Sequence, residues 1–173
     1  MKDFLDISVH HFEALEPQLN ALDAATGDGD HGTTILRGLR AAAEASETPE
    51  KAFRLAAGGA SGSLFAQIVG ALKKAEDGTP LSSALANAAD RIATLGQAKI
   101  GDKTMLDALI PASKADTPQA AANAAEVGRR STRELEAKRG RARYVEGAGV
   151  GHIDAGATSV AELLALYSNW KAA

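Results

Sequence analysis

Apolar residues recur at three- and four-residue intervals along most of the chain, the spacing of one buried helical face. Leu5, Phe12, Leu15, Leu19 and Leu22 share one such stripe. Pro17 falls inside it and is expected to kink that helix or make it restart. A second pattern runs from about Thr33 to Glu47, with Ile35, Leu36 and Leu39 inward. Pro49 sits where a third helix could begin, and that helix would end before Gly58-Gly59. Leu64, Phe65, Ile68, Val69 and Leu72 mark a fourth, stopped at Asp77-Gly78. Pro80 opens a stretch reaching Leu95, and Met105 to Ile110 is short and apolar. Thr117-Pro118 places a capping residue before proline at the first helical position, leading an Ala-rich helix to about Lys138. Ser159-Val160-Ala161-Glu162 fits a capping box ahead of Leu163, Leu164 and Leu166.

Strand signals are nearly absent. Period-two alternation is rare, and roughly a fifth of the residues are Ala, the best helix former. The pattern therefore predicts an all-α fold of seven or eight helices, with residues 1–173 forming one domain.

Composition narrows the chemistry. With 45% hydrophobic and 24% charged residues the chain is an ordinary globular sequence and not a disordered one. Aromatics are only 4%, so Ala, Leu, Ile and Val must build the core. The absence of Cys excludes a disulfide scaffold, a thiolate zinc site and a cysteine nucleophile. A formal charge of -3 gives no reason to expect a nucleic-acid partner. No apolar run is long enough for a membrane helix, and Met1-Lys2-Asp3-Phe4 opens no signal-peptide core. A cytoplasmic location with no membrane partner is the expectation.

The connections between helices are richer in Gly and Asp than plain turns require. The most informative runs Leu22-Asp23-Ala24-Ala25-Thr26-Gly27-Asp28-Gly29-Asp30-His31-Gly32-Thr33-Thr34. Asp23, Asp28 and Asp30 repel one another unless a cation sits among them. Oxygen donors without Cys favour a hard cation such as magnesium over zinc. The loop leads into a helix whose free N–H groups and positive dipole end suit phosphate. An EF-hand reading fails, because Gly32 occupies the third ligand position and Leu39 that of the bidentate Glu.

Three further segments carry weaker signals. Gly58-Gly59-Ala60-Ser61-Gly62-Ser63 is either a phosphate cradle or a flexible interhelix turn. Gly96-Gln97-Ala98-Lys99-Ile100-Gly101-Asp102-Lys103-Thr104 looks like a P-loop with an inserted Asp, but no strand precedes it, so it is no Walker motif. It could instead pack with Met105 on a nucleotide base. Arg139-Gly140-Arg141-Ala142-Arg143-Tyr144 either complements a helix end or contacts phosphate. His152, in Gly151-His152-Ile153-Asp154-Ala155-Gly156, reads as a ligand or as a buried, satisfied histidine. His10 and His11 carry no motif.

In this order L-D-A-A-x-G-D-G-D-H-G, G-G-A-S-G, G-D-K-T-M-L-D-A-L and G-R-A-x-Y…G-H-x-D-x-G resemble the L subunit of dihydroxyacetone kinase, over about Leu19 to Leu166. The resemblance implies a closed barrel of about eight antiparallel helices, with nucleotide bound in the loops at one end. It implies that Asp23, Asp28 and Asp30 hold two Mg2+ ions bridging the phosphates of ADP or ATP. His31, Gly32, Thr33 and Thr34 would line the phosphate site together with Ala60 and Ser61. Gly96 and Met105 would border the base, and Arg139, Asp154, Ala155 and Gly156 would close the pocket.

The implied reaction is phosphoryl transfer to dihydroxyacetone held on a separate K subunit, with no catalytic nucleophile in this chain. A phosphohistidine subunit of the phosphotransferase system would be the donor that recharges the bound ADP. The alternatives are an ATP-dependent kinase subunit for another small ketose such as a tetrulose, and a nucleotide-state sensor that binds a transcriptional regulator. The sequence departs from the family pattern at Ala155 and Ser63, where Pro is usual. It is also shorter between Gly62 and Gly96 and lacks a basic residue between Glu146 and Val150.

Overall fold

The computed structural model describes residues 1–173 and contains helices and loops but no strand. The eight α-helices are α1 (Lys2–Ala24), α2 (His31–Glu44), α3 (Pro49–Ala57), α4 (Gly59–Glu76), α5 (Leu81–Gly96), α6 (Leu106–Ala112), α7 (Pro118–Ser131) and α8 (Ala155–Ala172). Each packs on the next, and α8 returns to α1, so the ring is closed as expected. Short connections make neighbours run in opposite directions. The C-termini of α1, α3, α5 and α7 therefore share one end of the barrel with the N-termini of α2, α4, α6 and α8.

The interior is one continuous apolar core built from all eight helices. Phe12, Leu19, Ile35, Leu39, Phe53, Phe65, Ile68, Leu72, Leu85 and Ile92 are its largest members with almost no solvent contact, alongside Phe4 and Leu5. With so few aromatics the helices close in through small residues. A Cβ on Gly128 would stand 2.0 Å from the Asp107 carbonyl oxygen, so α7 can lie against α6 only with glycine there. No helix is long and apolar enough to cross a membrane.

Several boundaries differ from the sequence pattern for identifiable reasons. Pro17 neither stops nor restarts α1, which is continuous. Pro17 is exposed, so the carbonyl it leaves unpaired faces water, while Phe12 and Leu19 bury the helix on either side. α2 begins at His31 rather than Thr33 and ends at Glu44. α7 stops at Ser131, well short of Lys138, and passes into a 3-10 turn over Thr132–Glu134. Tertiary bonds hold that turn. The Thr132 hydroxyl accepts from the Asp154 N–H at 3.0 Å, and the Thr132 carbonyl accepts from Lys103 Nζ. α8 starts four residues before the expected capping box. Its N-cap is Asp154, whose carboxylate accepts from the Ala157 N–H at 2.7 Å, and Ser159 is buried inside the first turns. Thr117 caps α7 as its position predicts, accepting from the Ala120 N–H at 3.2 Å.

Candidate functional site

The shared end of the barrel carries two adjoining cavities of about 250 and 650 Å³. Both are lined by the ends of helices that are distant in sequence, with Asp23, His31, Ala60, Ser61 and Arg141 common to the two.

Asp23 sits in the last turn of α1, where the helix dipole disfavours an anion, whereas Asp30 is the N-cap of α2. One Asp23 oxygen accepts from the Gly29 and Asp30 N–H groups at 2.9 and 3.1 Å, which folds the loop back over the helix end. Gly29 makes this turn with φ +78°. Asp30 does not spend its carboxylate on capping, so both its oxygens stay available. One oxygen from each of Asp23, Asp28 and Asp30 lies within 4.8 Å of the others. A Cβ on Gly27 would come 2.5 Å from the second Asp23 oxygen, so glycine keeps the cluster open there.

The charges act on one another. The Arg141 guanidinium donates to Asp28 and holds its carboxyl below the ordinary value. Desolvation, and then the negative charges of Asp28 and Asp23, push Asp30 up. Three converging carboxylates that need a cation partner, with only oxygen donors, fit a hard divalent ion.

Beside the carboxylates stands the start of α4. Its N-cap is Gly58, which offers no side chain, and the N–H groups of Gly59, Ala60 and Ser61 have no acceptor in the protein. The second loop is thus a bare helix N-terminus rather than a flexible turn, and it lines the smaller cavity. Arg37 supports it from below. Its guanidinium donates to the Ala56 and Ala57 carbonyls at 2.8 and 2.7 Å, capping α3 and adding a positive charge to the cavity wall. Free amides, a helix dipole and Arg37 suit phosphate oxygens.

The larger cavity has an apolar side made by Leu64, Ile92, Leu95, Ala98 and Met105. Across from it runs the segment Arg139 to Gly151, two 3-10 turns with glycines of positive φ at 140, 147, 149 and 151. Lys103 ties this segment down. It is 3% exposed and donates from Nζ to the Thr132 and His152 carbonyls at 2.5 Å each. Asp107 in turn accepts from the Gly101 and Thr104 N–H groups at 2.5 and 2.7 Å. The P-loop-like segment is therefore a brace for the cavity wall. Asp154 faces the same cavity, and burial pushes its carboxyl up to about 6.

Most sequence-predicted residues meet here. Asp23, Asp30, His31, Thr34, Ala60 and Ser61 line one or both cavities, as do Gly96, Met105, Arg139, Asp154, Ala155 and Gly156. Asp28 joins through the carboxylate cluster. Gly32 and Thr33 follow His31 in the first turn of α2 and pack toward α1, outside the lining of the two cavities. A Cβ on Gly32 would stand 2.5 Å from the Glu16 carbonyl. The Thr33 hydroxyl donates to Glu16 at 2.7 Å, and its N–H donates to Asn20 at 3.1 Å.

His152 is exposed, not buried, and contributes only its carbonyl to Lys103. His10 is exposed as well, and His11 pairs with Glu162 at 2.9 Å. Arg37, Lys103 and Arg141 were not singled out by their sequence context. The family motif already contained Lys103 and Arg141, and the burial of Lys103 and the pairing of Arg141 with Asp28 give the missing signal.

Residues 25–169 match the family model described as the DAK2 domain. The chain is 36% identical to D-erythrulose kinase of Mycolicibacterium smegmatis over 84% of this chain and 31% of that protein. It is 32% identical to the ADP-binding subunit DhaL of a PEP-dependent dihydroxyacetone kinase from Listeria innocua, over 84% of this chain and 82% of that subunit. The dihydroxyacetone kinase of C. freundii, solved in complex with AMP-PNP and Mg2+, superposes with a TM-score of 0.75 at 28% identity, covering 98% of this chain and 33% of that one. The chain thus spans about a third of the length of the kinases it matches and most of the length of the DhaL subunit. It belongs to the DAK2 domain family.

Proposed function

We propose that residues 1–173 form one nucleotide-binding domain, the L-type subunit of a kinase for a small hydroxyketone. The observation that carries this reading is the juxtaposition of the Asp23, Asp28 and Asp30 cluster with the uncapped start of α4 at the mouth of one cavity. One place for divalent cations beside one for phosphate oxygens is the arrangement a metal–nucleotide requires. Asp23, Asp28 and Asp30 would hold two Mg2+ ions, which when bound supply charge neutralisation on the phosphate oxygens.

The chain's own residues do the positioning. The amides of Gly59, Ala60 and Ser61 bind phosphate, and Thr34 and His31 flank it. Leu64, Ile92, Gly96 and Met105 hold the base, and the segment from Arg139 to Gly151 covers the nucleotide against water. No nucleophile of this chain enters the transfer, so fixed charge and orientation supply its catalytic contribution.

The acceptor is dihydroxyacetone presented by a separate K subunit, and bound ADP is recharged by a phosphohistidine subunit of the phosphotransferase system. The DhaL subunit of a PEP-dependent kinase, matched over most of its length, supports this. Similarity to D-erythrulose kinase favours a second reading in which the acceptor is a tetrulose and ATP exchanges freely.

Native mass spectrometry of freshly purified protein, before and after EDTA, tests the reading. A mass excess of ADP plus two magnesium ions, lost on chelation, is expected. A chain that stays bare with added magnesium and ADP overturns it and moves a regulator-binding role ahead. With nucleotide bound, transfer assays with a K subunit loaded with dihydroxyacetone or erythrulose then separate the two acceptors.

A further inference from the structure

His31 opens α2 directly after the carboxylate loop, and its ring is 7% exposed. Nε2 lies 2.8 Å from the hydroxyl of Ser159, a residue 128 positions later on α8 with no solvent exposure. Nδ1 has no partner in the protein, yet no fully buried side-chain nitrogen or oxygen lacks one. Nδ1 is therefore the atom that His31 turns to the cavities it lines.

The Ser159 hydroxyl decides which nitrogen carries the proton. A serine inside a helix ordinarily donates to the carbonyl one turn back, as Ser8 does to Phe4 and Ser63 does to Gly59. Ser159 makes no such bond, and its one partner is His31 Nε2. A buried O–H must find an acceptor, and the only acceptor offered is an unprotonated Nε2. The ring proton of the neutral imidazole is then on Nδ1, pointed at the cavity as a donor.

We infer that Ser159 is a positioning residue that fixes His31 as the Nδ1–H form, so that His31 presents a hydrogen-bond donor to a phosphate oxygen. The tautomer follows from the pairing of Ser159 with His31 alone, whereas the identity of the acceptor rests on the nucleotide reading above. A donor here extends the row of α4 amides across the cavity, so that the anion is held from two sides. The opposite tautomer would aim a lone pair at it and repel it.

Two measurements on the full chain separate these parts. Long-range 1H–15N correlation of the ligand-free protein is expected to show His31 with Nδ1 protonated and Nε2 unprotonated. A protonated Nε2 beside an unprotonated Nδ1 overturns the inference whether or not nucleotide binds. In Ser159→Ala the His31 signals are expected to move toward the Nε2–H form, with the Kd for Mg-ADP rising severalfold and the melting temperature little changed. An unchanged tautomer and unchanged Kd in a folded Ser159→Ala overturn the positioning role. Wild-type protein that shows the Nδ1–H form but takes up no Mg-ADP in calorimetry overturns the nucleotide reading and leaves the tautomer standing.

Discussion

The two ends of the barrel are built from the same helices but to opposite rules. At the far end, Phe4 of α1 meets Tyr167 edge-on at 5.4 Å and Trp170 at 5.5 Å, both from α8. The Tyr167 hydroxyl donates to Glu76 at 2.7 Å, tying α8 to the last turn of α4. The buried polar group there is paired, and the aromatic contacts bury large areas. At the cavity end, three carboxylates crowd together, three backbone amides of α4 have no acceptor, and Asp154 is a buried acid. The crowded carboxylates and the buried acid oppose folding in the free chain, whereas the α4 amides face solvent. One end supplies stability, and the other holds polar groups ready for a ligand of complementary charge.

The contrast breaks most sharply under substitution of the carboxylate cluster. Asp30→Ala removes a ligand oxygen but also a like charge beside Asp23 and Asp28. Magnesium-dependent nucleotide binding is expected to disappear while the melting temperature holds or rises. Calorimetry with Mg-ADP together with a thermal melt reads both quantities. Retained affinity would remove the cluster from the site, and a lost fold would make it structural.

Phe4→Ala tests the other end. Phe4 has no solvent exposure, so a cavity should cost about 3–5 kcal/mol. In a chain of this size that lowers the melting temperature by roughly 10 °C. The Kd for Mg-ADP, measured well below the new transition, is expected to stay at the wild-type value. A weakened Kd there would mean that the two ends are coupled along α1 and α8.

The fold was legible where periodicity alone decides it. The stripe from Leu5 to Leu22 is α1, the run from Leu64 to Leu72 lies within α4, and Thr117-Pro118 opens α7. Errors cluster where a distant residue sets the local structure. Lys103 and Asp154 take the polar groups of Thr132 and end α7, and nothing near Thr132 in sequence announces either. Ser159 shows the same limit. Its spacing to Glu162 imitates a capping box, but the hydroxyl serves His31 across the core. The carboxylate loop could be read directly because its three Asp and three Gly lie within ten residues, from Asp23 to Gly32, and the three Asp repel without a ligand. Gly32 and Thr33 sit in the first turn of α2, which starts at His31, and their contacts with Glu16 and Asn20 of α1 have no signal in the local sequence.

The two ends also differ in how their stability responds to pH. Asp154 titrates near 6 in the folded chain, against an ordinary value of 3.8, because burial disfavours its charge. Between those values the folded state holds a proton that the unfolded chain has released. Its stabilising contribution is thus complete below about pH 4 and is lost as pH rises through about 6. Asp154→Asn does not titrate and keeps a side-chain oxygen able to accept from the Ala157 N–H, so α8 stays capped. Urea unfolding of both proteins in EDTA should give curves that diverge between pH 4 and 6 and run parallel above. The variant is expected to gain about 1–2 kcal/mol relative to wild type across that interval, less than the full shift implies because the cavity admits water. Tyr167→Phe at the far end should show no such pH-dependent gain in this range, since burial pushes the Tyr167 hydroxyl up and away from it. A stability difference for Asp154→Asn that is constant with pH would mean that its carboxyl ionises normally. The cavity end would then lack the buried acid that sets it apart from the aromatic one.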